Sequence, residues 1–205
     1  MKWAMKARRY WTTTIVAVIA SIVGTTAGNF NLPIPFLSSF VGPSTMPAPV
    51  VPSLILVVVA GAMIQSAELL WSAASVRNVI AHSMLLAAGL VAIVVVVSLL
   101  TGLALHEGEA AWLMARDVLG LLVLWSGARA VGIKRFAGLV PVVYLLIASA
   151  FARNSMGEVR GWAWILGRDV SDPWALATIG IGCLLTFLYV RQRRSLVGRT
   201  TRANS

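Results

Sequence analysis

Hydrophobic residues along this chain gather into six long runs separated by short polar segments. The runs cover residues 10–29, 49–70, 79–103, 111–131, 136–152 and 173–190. A helix crossing the roughly 30 Å hydrocarbon core of a bilayer needs about 20 mostly apolar residues, fewer where neighbours or local thinning compensate. The first four runs meet that length, and the last two are shorter but carry no charged side chain. The pattern predicts an all-α fold: a polytopic membrane helix bundle of six transmembrane helices over residues 1–190, then a basic, disordered cytoplasmic tail over 191–205. Pro141, inside the fifth run, predicts a kink that neighbouring helices would tolerate.

Charge turns this pattern into an orientation. With the N-terminus in the cytoplasm, the inner segments hold 13 of the 17 lysines and arginines, from Lys2, Lys6, Arg8 and Arg9 to the tail arginines. The outer segments and helix ends hold only Arg116, Arg153, Arg160 and Arg168. That bias follows the positive-inside rule and predicts both termini inside, in the plasma membrane. Six of the seven acidic residues fall on the outer side, Glu68 being the exception. Tryptophans sort to the two interfaces, with Trp3, Trp11 and Trp71 inside and Trp112, Trp162, Trp164 and Trp174 outside.

Composition agrees with the lipid reading. The chain is 59% hydrophobic and 12% charged, against about 25% charged in soluble domains. A net charge of +10, taken alone, points toward nucleic acid. The basic residues instead form short clusters between apolar runs, without a nucleic-acid motif, so no nucleic-acid partner is expected. The start of the chain has a second reading, a secretory signal cleaved after Ala27, which would leave five spans. An uncleaved first helix is the preferred one. The outer loop that follows it, rich in proline and without charge, should lie irregularly against the interface. The later outer segment "GWAWIL", residues 161–166, is expected to form one or two interfacial helical turns anchored by tryptophan.

Catalytic signatures are absent from the sequence. It has no Walker-type phosphate loop and no HExxH, CxxC, GxSxG or SxxK motif, and its two histidines lie far apart. No enzyme activity, metal or cofactor is therefore expected. The single cysteine, Cys183, reads as a small apolar side chain. Loop order does not repeat between the two halves, which disfavours a carrier built from inverted repeats.

The polar residues within or beside the runs are the candidate sites. Eleven residues separate Asp117 from Arg129, about 16 Å of helix, so Arg116–Asp117, Arg129 or both must enter the bilayer zone. Neighbours on a helix point about 100° apart, so Arg116 and Asp117 are not expected to pair simply with each other. Either Arg116 snorkels outward while Asp117 bonds a neighbouring helix, or the residues line a polar cavity open to the exterior. Arg116, Asp117, Arg129 and His82 are thus the candidate intramembrane polar or transport residues. Glu68 and Arg77 flank the tight turn after the second span and either pair across it or help dock a cytoplasmic partner. Ala175, Ala177, Gly180 and Gly182 give the sixth helix a small-residue surface suited to close packing.

Three stretches, "SAELLWSAASVRNVIAHSMLL", "ARDVLGLLVLWSGARAVG" and "GWAWILGRDVSDPWALA", together with the basic N-terminus, carry a family likeness. With them the chain resembles small six-helix actinobacterial membrane proteins similar to ABC-2-type exporter permeases. That resemblance implies an efflux permease subunit with both termini inside. It would work as a homo- or heterodimer around a shared cavity, powered by a separate cytoplasmic ATPase. The sequence departs from the pattern in lacking a clear amphipathic coupling helix between the second and third spans. The alternative is a non-transporting accessory or immunity protein that binds another membrane protein or lipid.

Overall fold

The computed structural model describes residues 2–33, 45–73, 79–133, 136–153, 158–168 and 172–184, with side chains described from residue 11 onward except over 67–86. Helices dominate it, and each coincides with one of the six apolar runs. They are α1 (Lys2–Thr26), α2 (Val50–Ala73), α3 (Val79–Leu105), α4 (Gly108–Ala130), α5 (Leu139–Phe151) and α6 (Pro173–Leu184). Two of them, α4 and the Ala87–Leu105 part of α3, are long and apolar enough to cross a membrane; the other described apolar helices are shorter. Two three-residue strands, β1 (Asn31–Pro33) and β2 (Thr45–Pro47), pair antiparallel with Leu32 opposite Met46. They close the ends of the loop expected to be irregular. The basic tail, residues 191–205, lies outside the described residues.

Helices α1 to α4 form the packed core, with α4 touching each of the other three, and α5 lies against α4. Close packing comes from small residues that admit large ones. A side chain at Gly61 of α2 would run into the indole of Trp125 on α4, and one at Gly24 of α1 would meet the sulfur of Met114. Gly182 of α6 lets Val123 of α4 approach to backbone contact, so part of the small-residue surface expected on α6 is used there. Without such notches the helix axes would stand further apart and lose the dispersion contacts that hold packed helices together.

Pro141 sits in the first turn of α5 rather than mid-helix. In the first turn its missing N–H has no helical partner to lose, so the predicted mid-helix kink has no cause there.

The connections after α1, α3 and α5 gather at one end of the bundle. There Asn29 donates to the Glu107 carboxylate, and Arg153 donates to the Thr45 carbonyl at 2.9 Å. Arg168 donates to the Asn29 carbonyl at 2.9 Å and to Asn31 Oδ1 at 3.0 Å. Arginine suits this work because its fixed fork of donors satisfies loop carbonyls that no helix or sheet pairs.

Candidate functional site

Arg116 and Asp117 lie on the third turn of α4, beneath this cap. Contrary to the sequence expectation, they pair with each other. Arg116 Nη2 and Nε donate to Asp117 Oδ1 at 2.9 and 3.1 Å. The 100° between successive residues would separate short side chains. Arginine's three methylenes are long enough to fold the guanidinium back onto its neighbour. Both side chains are buried, at 4% and 1% exposure.

Among the described residues the pair is enclosed and not set in a cavity open to the exterior. Over it lies the 3-10 helix Gly161–Leu166, so the helical turn expected at "GWAWIL" is present. Trp164 from that turn is buried rather than at the interface, its ring pressed against Gly120 of α4 where any Cβ would overlap it. The Arg116 guanidinium stands 5.7 Å from the centroid of the same ring, and its Nη2 also donates to the Gly167 carbonyl at 2.9 Å. Tyr144 of α5 stacks on Trp164 with ring centroids 5.9 Å apart and donates its hydroxyl to the Trp162 carbonyl at 2.9 Å. Trp162 and Trp174 are partly or largely exposed, as interfacial residues would be.

One atom is left over. Asp117 Oδ2 is buried and accepts no hydrogen bond among the described residues. Buried carboxylate oxygens are costly in that state, so the site is fully packed but not fully satisfied.

Arg129, the other candidate whose side chain is described, does not join this cluster. Arg129 lies on the last turn of the same helix, stacked over its own Trp125 at 4.9 Å from the ring centroid. The side chains of Glu68 and His82, and Arg77 altogether, lie outside the described residues. Among the described residues no group of three or more His, Cys, Asp or Glu side chains is placed to hold a metal ion.

Sequence reasoning found Arg116 and Asp117 but missed Gly120 and Tyr144, and it assigned Trp164 to the wrong environment. Nothing local marked Trp164, because its burial depends on a loop returning from more than forty residues away in sequence. A signal did exist at Gly120, the glycine one turn beyond the charged pair in an otherwise bulky run.

Comparison with family models, with curated proteins and with solved structures gives no match.

Proposed function

We propose that the chain is an integral membrane protein with six transmembrane helices and both termini on the cytoplasmic side, serving as the permease-like subunit of an efflux ABC system. One observation carries the membrane part: burial runs against hydropathy. In the more apolar α3 few residues of Ala87–Leu105 are buried, whereas α4, which holds Arg116 and Asp117, is mostly enclosed. Large apolar side chains such as Ile15, Ile19, Ile55, Val96, Leu100, Leu146 and Ile181 stand outward. Thr13, Ser21, Ser53, Ser98, Arg116 and Asp117 are buried. Such an outside suits hydrocarbon as solvent and would be a liability in water. The side of each end follows from the arginine and lysine bias, and the capped end would face outward.

The permease role is supported by the resemblance and by the absence of a nucleotide-binding loop in the sequence, which assigns energy supply to a separate ATPase. Affinity purification in mild detergent, with identification of the bound proteins, is the test. An ATPase should co-purify with a dimer of the chain. A monomer without an ATPase would overturn the exporter reading and favour the alternative, an accessory protein that binds another membrane protein or lipid. The burial of the charged pair among the described residues, with Gly167 held over it, favours that second reading.

A further inference from the structure

Arg116 and Asp117 set a donor beside an acceptor in an enclosed, aromatic-walled place. Arg116 Nη2 already holds a peptide carbonyl, that of Gly167. Asp117 Oδ2, beside it, has no donor among the described residues. A peptide group carries the complementary pair, a C=O for the guanidinium and an N–H for the free carboxylate oxygen. The chain's own outer segment therefore satisfies half of what the site offers.

That segment packs into the hydrophobic core through Ala163, Trp164, Ile165 and Leu166, and three of the contacts that hold it can each be removed by a single substitution. Tyr144 holds the Trp162 carbonyl, Arg116 holds the Gly167 carbonyl, and the Trp164 ring rests in the notch at Gly120. Lifting it would release the Gly167 carbonyl from Arg116 Nη2, beside the Asp117 carboxylate. The Arg116–Asp117 pair is electrically neutral as a unit, so an uncharged backbone suits it better than an ion. Trp164, Ile165 and Leu166, which precede the bound carbonyl, are all buried, so the surroundings accept apolar side chains.

We propose that the Arg116–Asp117 pair is a binding site for an apolar peptide segment, closed in this structure by residues 161–167 acting as a tethered stand-in. The proposal rests on the membrane reading above and gives the exporter a substrate class. It does not depend on the ATPase.

The experiment titrates fluorescein-labelled Trp-Ile-Leu-Gly-amide into the full chain in nanodiscs, read by anisotropy. Closure is followed in parallel by labelling Ile165→Cys, in a Cys183→Ala background, with a membrane-impermeant maleimide. Ile165 is buried, so it should be protected in the parent. Gly120→Ala, which drives Trp164 out of its notch, and Tyr144→Phe, which removes the hydroxyl bond more gently, should each expose it. Both should tighten peptide binding, by about tenfold where the closed form dominates. Asp117→Asn, in the Gly120→Ala background, should weaken binding about tenfold or more through loss of a charged acceptor.

An Ile165→Cys that stays protected in both opening variants overturns the closure. Exposed Ile165→Cys without saturable peptide binding overturns the site, as does binding that Asp117→Asn leaves unchanged. ATPase content is scored on the same preparations. Failure of peptide binding with an ATPase present sinks the site alone, and peptide binding without an ATPase sinks only the exporter reading.

Discussion

Helices α3 and α4 are neighbours joined by a two-residue turn, yet they solve opposite problems. α3 is almost continuously aliphatic and turns Val96, Leu100 and Leu103 outward. α4 contains two arginines, an aspartate and two interior glycines and is enclosed along most of its length. In a water-soluble bundle the more apolar helix would be the buried one. The reversal teaches that the interior here is selected by fit and by internal pairing, while apolarity is spent on the outer surface.

Four substitutions test that contrast, in order of expected effect. Asp117→Ala leaves the Arg116 guanidinium enclosed without its counter-charge and should destabilise the protein by about 3–5 kcal/mol, read by thermal unfolding in detergent. If the interior tolerates it, the pair is not buried as described. Next, Val96→Arg places a charge on the outward face near the middle of α3. It should cost about 2.5–3.5 kcal/mol of insertion free energy, seen as a lower inserted fraction in a glycosylation-reporter assay. Normal insertion would mean that this face meets water and would break the comparison at its root.

Gly61→Val tests the fit of α4 against α2. The added side chain meets the Trp125 indole and should cost about 1–3 kcal/mol, measured as a lowered midpoint in a detergent melt. The smallest effect is expected at Ser98, whose buried hydroxyl has no hydrogen-bond partner. Ser98→Ala should leave stability unchanged or raise it by about 1 kcal/mol, because it removes a polar group that gains nothing from burial. A clear loss would reveal a bound water or a partner at that hydroxyl.

The course of the chain was largely legible beforehand, since each apolar run became a helix and α3 and α4 kept their expected places. Length and continuous hydropathy are local properties, and they fix helices well. Ends were less well marked: α1 begins near the N-terminus rather than at residue 10, because the helix continues through the basic segment. The site was legible in half. Arg116 and Asp117 stood out as charges where lipid allows few. Their mutual pairing was misjudged because helical wheel angles ignore how far an arginine can reach. The roles of Trp164, Tyr144 and Gly120 depend on α5 and the returning outer segment, which no local pattern specifies.

The short β1–β2 ladder has a practical corollary for mapping sidedness. It seats Pro33 opposite Thr45, so an insertion in the interval between them starts and ends at neighbouring points of the ladder. An epitope or enzyme reporter spliced into that interval should announce which compartment it faces while the rest of the protein folds undisturbed.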